Sequence, residues 1–159
     1  MSRFTLGPAA AAFLAAVTLA VGVAIGAGTQ LHASTKADLS SAMHGEAFAY
    51  AKYMLYAKQA RAEGKTQLAD LFQHTANVEL NNHFSTHAYE YGLVGTDQQN
   101  LRDSISGENY ETTTMYPQMS ERAAAAGDTK VAAIFKAVGN DERTHRDRFA
   151  AALNDLAAR

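Results

Sequence analysis

Cysteine is absent from the 159 residues, which excludes disulfides, thiolate metal sites and a cysteine nucleophile. Any metal must therefore be held by Glu, Asp, His or Asn, harder ligands that suit iron, manganese or zinc. Charge of one sign is scarce as well. A formal balance of −2 leaves no basic surface to grip phosphates, so nucleic acid is not an expected partner. Helix breakers are few, with two prolines and eleven glycines, and Ala, Glu, Gln, Lys, Leu and Arg dominate after residue 35. That composition favours helix, and the length suits one domain with one core.

One long uncharged stretch is present, from Phe4 to His32 behind a single Arg3. It exceeds the roughly 20 residues that cross a bilayer core. The small residues Ala24, Gly26 and Ala27 offer a peptidase a place to cut. Residues 1–32 are therefore expected to be a signal peptide or a membrane anchor, with the folded part, residues 33–159, extracytoplasmic, either secreted or anchored.

The folded part repeats itself. Leu39 and Leu101 each precede a Gly-Glu pair by six residues, and Gly64 and Gly127 each precede a second Glu by fifteen. The offset between halves is 62 at the Gly-Glu pairs and 63 from Gly64 onward, so one extra residue sits in the third helix or at its end. A bulge or the Tyr116-Pro117 step would absorb it. Ser34 or Thr35 is the expected cap of the first helix and Gly64 its stop, with Lys65 or Thr66 opening the second. Gly92 and Gly95 mark a crossover, Thr96 caps the third helix, Gly127 ends it, and Asp128 or Thr129 caps the fourth. The short turns predict two antiparallel hairpins, and together a four-helix bundle.

Each helix carries an apolar stripe at three- and four-residue spacing, broken by a glutamate: Glu46, Glu79, Glu108 with Glu111, and Glu142 followed by His145. An ionised carboxylate in a core costs several kcal/mol unless paired, and Lys or Arg partners are missing from these faces. A pair of cations would neutralise the cluster. A Glu from each of two helices plus Glu-x-x-His from each of the other two is the pattern of di-iron carboxylate bundles. The fourth helix has it whole; the second reads Glu79-x-x-Asn82, with His83 one residue further on. On the 63-residue offset Asn82 takes the place of His145, and His83 reaches a metal only if the helix is locally rotated or bulged.

From about residue 35 to 154, "GENYETTTMYP", "LADLFQHTAN" and "VAAIFKAVGNDERTH" resemble segments of the rubrerythrin family. The resemblance implies an all-α, ferritin-like antiparallel four-helix bundle holding two iron ions, with manganese as the alternative. It implies that Glu79 and Glu142 bridge the metals, that Glu46 and Glu111 serve the first and that Glu108 and His145 serve the second, with His83 and Asn82 as further candidates. The expected activity is an oxidoreductase reducing hydrogen peroxide to water. Typical relatives end in a four-cysteine rubredoxin domain that this sequence lacks, so a separate electron donor is expected, and a homodimer. Two other functions compete. One is a ferroxidase that oxidises Fe(II) with oxygen or peroxide, and the other is an exported helical bundle without catalysis.

Overall fold

The computed structural model describes residues 30–158, which are helical apart from short turns and a linker, with no strand among them. The expected leader lies almost wholly outside these residues. Helix α1 spans Ala33–Ala62 and turns through Gly64, whose φ of 73° is the left-handed conformation that glycine adopts without penalty. The second long helix has three parts: α2 (Thr66–Val78), a π-helical turn (Glu79–Phe84) and α3 (Ser85–Tyr91). After a linker, the third is α4 (Asp97–Tyr110), a second π-helical turn (Glu111–Met115) and α5 (Tyr116–Ala125), and the last is α6 (Thr129–Ala157).

Most boundaries follow the expected signals. Thr96 forms a full capping box, its side chain accepting from the Gln99 amide at 3.3 Å while Gln99 Oε1 accepts from the Thr96 amide at 2.8 Å. Gly127 closes the α5–α6 turn at φ 87°, with the Asp128 amide bonded back to the Ala123 carbonyl at 2.9 Å. Two caps differ from expectation. Helix α1 begins at Ala33 behind His32 rather than at Ser34 or Thr35, and Asp128 precedes α6 without a side-chain cap bond.

Small residues let the helices of each hairpin approach closely. Ala69 and Ala76 of α2 are fully buried, and Met43, Ala57 and Ala60 of α1 are nearly so. In the second hairpin Ala132 plays the part of Ala69. Gly139 takes that of Ala76, and a Cβ there would stand 3.0 Å from Tyr116 Cβ. Tyr53 packs on Phe72 with ring centroids 6.3 Å apart, and Tyr116 packs on Phe135 at the same separation. Ser120 Oγ donates to the Ala132 carbonyl at 2.9 Å and ties α5 to α6.

These matched pairs locate the extra residue. The offset is 62 from Glu46 to Glu108 but 63 from Tyr53 to Tyr116, so the insertion falls between Glu108 and Tyr116, where the π-helical turn Glu111–Met115 sits. A single inserted residue widens one turn from i→i+4 to i→i+5 bonding and leaves the helix continuous on either side.

The four long helices thus form as two hairpins, as expected for a ferritin-like fold. Among the described residues, however, no helix of the first hairpin touches a helix of the second.

Candidate metal centre

Each hairpin assembles one carboxylate-rich triad. In the first, α1 supplies Glu46 and the π-helical turn supplies Glu79 and His83; in the second, α4 supplies Glu108 and α6 supplies Glu142 and His145. Within each triad one ligand atom per residue lies within 4.8 Å of the other two. His83 Nδ1 stands 2.7 Å from Glu79 Oε2 and 3.9 Å from Glu46 Oε2. His145 Nδ1 stands 2.7 Å from Glu142 Oε2 and 3.9 Å from Glu108 Oε2. The two halves present the same geometry from different local sequences.

The π-helical turn explains how. His83 follows Glu79 by four residues and His145 follows Glu142 by three, and the widened turn at Glu79–Phe84 takes up the difference. The structure therefore brings His83, not Asn82, beside Glu79; Asn82 is exposed and belongs to neither triad. The 63-residue offset placed Asn82 opposite His145, but beyond the bulge the offset returns to 62, which pairs His83 with His145. That return was the signal available in the sequence. Glu111 opens the other π-helical turn and is half-buried outside the triad.

Electrostatics in the second triad report carboxylates held close. Burial raises Glu108 above the usual carboxylate range, the adjacent Glu142 carboxylate raises it further, Glu111 adds to this, and His145 opposes it. Tyr116 is raised too, first by burial and then by the charges of Glu111, Glu142 and Glu108. Glu108 Oε2 is buried with no hydrogen-bond partner. An orphaned carboxylate oxygen of this kind costs free energy that a cation would offset. Glutamate oxygens with one imidazole nitrogen per triad are the donors that iron and manganese accept, so the residues fit a metal. The helix face carrying Glu142 and His145 also holds a residue that the sequence pattern did not single out. Arg146 is half-buried and donates to Asn109 Oδ1 at 3.3 Å, linking α6 to α4 beside Glu108.

The structure does not bring the two triads together within the chain. They sit on hairpins that share no contact among the described residues, so the ligand set expected from the sequence is divided: Glu46 and Glu79 lie in one triad with the further candidate His83, Glu108, Glu142 and His145 in the other, and Glu111 in neither.

Comparison with known proteins follows the helical region. Nigerythrin of Nitratidesulfovibrio vulgaris is 36% identical over 143 residues, covering 79% of this chain and 68% of its own length. Rubrerythrin of Porphyromonas gingivalis is 33% identical over 131 residues, covering 75% of this chain and 66% of its own. The chain thus spans about two thirds of the length of these curated relatives. Among solved structures, fully reduced, all-ferrous nigerythrin is 31% identical, covers 86% of this chain and 73% of that one, and superposes with a TM-score of 0.40.

The extracytoplasmic placement expected from the leader needs correction. The relatives are rubrerythrins and a nigerythrin and bring no sign of export, and no helix among the described residues is long and apolar enough to cross a membrane. An apolar run satisfies the length requirement for a span, but length alone does not specify an address. The signal-peptide and membrane-anchor expectations for residues 1–32 have no support from these relatives and fall almost entirely outside the described residues. A match to the rubrerythrin family itself takes in residues 38–153, including both triads and both π-helical turns, and on that match the chain belongs to the rubrerythrin family.

Proposed function

We propose that this protein is a di-iron oxidoreductase that reduces hydrogen peroxide to two waters, taking two protons from solvent and two electrons from a ferrous pair that a separate donor protein or small reductant restores. The observation that carries the reading is the duplicated triad, with two glutamates and one histidine at matching distances in both hairpins. The bound iron pair would supply the electrons and polarise the peroxide oxygens. In this reading Glu79 and Glu142 would be shared between the metals, Glu46 and Glu108 would each serve one, and His83 and His145 would supply the nitrogen ligands. Glu111 is a further carboxylate that the second hairpin holds in reserve beside Glu108. The matched 2.7 Å contacts orient each imidazole toward its own glutamate and fix the ring before a metal arrives. Tyr116, held in its protonated form, is placed among Glu108, Glu111 and Glu142 to keep a phenol proton near the carboxylates.

The test is the metal content of the purified protein, followed by anaerobic peroxide consumption by its ferrous form. About two metals per complete six-ligand site are expected, with both lost in Glu142→Ala, and peroxide consumption that continues for as long as reductant is supplied. Iron oxidation that stops after one stoichiometric round would assign a ferroxidase instead. A chain that folds but retains no metal would overturn both.

A further inference from the structure

A half-open cleft of about 440 Å³ lies between α5 and α6, within the size range of small-molecule sites. Half-buried Thr112, Tyr116 and Phe135 form its floor, and exposed Lys136, Asn140 and Arg143 stand along its rim on α6. Gly139 is the point at which α6 meets Tyr116. Counting from Gly139 at about 100° per residue, Lys136, Arg143 and Asn140 lie about 60°, 40° and 100° to one side, and Glu142 and His145 about 60° and 120° to the other. The cleft therefore opens on the flank of the hairpin turned away from the metal ligands, and it is separate from them. Tyr116 joins the two sides, since it lines the cleft and also stands close enough to Glu111, Glu142 and Glu108 to feel their charges.

Three features of the cleft ask for an occupant. Thr112 Oγ1 is buried without a hydrogen-bond partner although Thr112 lines the cavity, and a buried hydroxyl left unpaired costs free energy that a bound polar group offsets. Lys136 and Arg143 are two turns apart on one helix face, and neither forms an ion pair among the described residues. Against them the rim carries a single acid, Glu121, so the mouth is positive. Between floor and mouth the rings of Tyr116 and Phe135 supply an apolar wall. Hydrogen peroxide fits none of this, being far smaller than the cavity and uncharged. The complement is a flat, one-ring molecule with a hydroxyl at its inner end and an anionic group at its outer end.

We propose that this cleft binds the small reductant that drives the reaction, a one-ring quinol bearing a carboxylate. Its inner hydroxyl pairs with Thr112, its ring lies against Phe135 and Tyr116, and its carboxylate meets Lys136 and Arg143. Tyr116 is then the one side chain between the bound quinol and the carboxylates of the second triad. The balance closes: the quinol breaks two O–H bonds, gives two protons to solvent and two electrons to the site, and leaves as the quinone, while peroxide takes up two electrons and two protons and breaks its O–O bond to give two waters. The role as reductant rests on the peroxidase reading, whereas binding in the cleft does not.

The first arm of the test uses the metal-free full chain. Homogentisate and its redox-inert analogue meta-hydroxyphenylacetate are titrated anaerobically by calorimetry, and one-to-one saturable binding of both is expected. Thr112→Val should weaken each by about fivefold, the worth of one hydrogen bond. Lys136→Gln combined with Arg143→Gln should weaken each by about tenfold. Lys130→Gln, which removes a cation of the same helix outside the cleft, should change affinity by less than about twofold. Absence of binding, or binding that the cleft variants leave unchanged, overturns the proposal. In the second arm the metal-loaded protein is given peroxide and homogentisate, and formation of the quinone is followed by absorbance. Turnover is expected, with the half-maximal homogentisate concentration raised about tenfold in the Lys136→Gln, Arg143→Gln variant. Binding without quinone formation, in protein that consumes peroxide with dithionite as donor, overturns the role as reductant. A chain that holds no metal sinks the peroxidase reading and with it that role, and the first arm alone then decides whether the cleft is a site for an aromatic acid.

Discussion

Replacing His83 and, separately, Asn82 with alanine tests which residue of the second helix faces the metal. His83 Nδ1 is 2.7 Å from Glu79 Oε2 and 3.9 Å from Glu46 Oε2, matching His145 in the other half, whereas Asn82 is exposed and joins no triad. Losing a group that merely supports a ligand weakens metal binding by about 10–100-fold, so losing the imidazole itself should cost at least that, about 1.4–2.7 kcal/mol. His83→Ala and His145→Ala should agree within roughly threefold, because their geometries match. Asn82→Ala should change affinity by less than about twofold, the usual result for an exposed residue. Anaerobic Fe(II) titration followed by calorimetry reads all three. A third perturbation separates geometry from composition: deleting Asn81 converts Glu-x-x-x-His into the Glu-x-x-His of α6 and removes the residue that widens the turn. That variant should keep its metal. An Asn82→Ala loss equal to or larger than that of His83→Ala would refute the reasoning, as would loss of metal in the deletion variant.

Three further outcomes follow from the fold and the site. Thr96→Ala removes the capping box at α4 and should lower stability by about 1 kcal/mol, read as a lower urea midpoint at unchanged slope. Gly127→Ala forces a side chain into a φ of 87° and should cost about 1–2 kcal/mol by the same measurement, while an unchanged midpoint would mean that the turn has moved. In the metal-free protein Glu108 is raised by burial and by Glu142, so the fold favours its protonated form. Its stability is greatest below the ordinary glutamate value, falls as pH climbs through the raised one, and levels off above it. Glu108→Gln should flatten that decline in thermal melts taken across the window, and parallel profiles for the two proteins would count against the shift.

Much of this protein could be read from spacing. The turns at Gly64 and Gly127, the cap at Thr96, the helical hairpins and the inward glutamates are local matters, set by backbone conformation and three- and four-residue periodicity. The internal repeat even exposed the extra residue in the third helix. The position of His83 was not legible in the same way. A π-helical turn changes the angular step inside a helix without interrupting it, so counting residues at a constant offset put Asn82 in the place of His145 and left His83 as a candidate only on condition of a bulge. The extracytoplasmic placement failed for a different reason, since an apolar run states a length and nothing about destination.

By itself the sequence singled out candidate ligands in kind, because acids without cationic partners on apolar faces need a compensating charge. It also determined that they come in two halves. Only the tertiary structure decided that each half is complete within its own hairpin and that the halves do not meet inside one chain. The physical reason is reach: periodicity fixes which way a side chain points from its helix, while the few residues between Tyr91 and Asp97 set which other helix it can face.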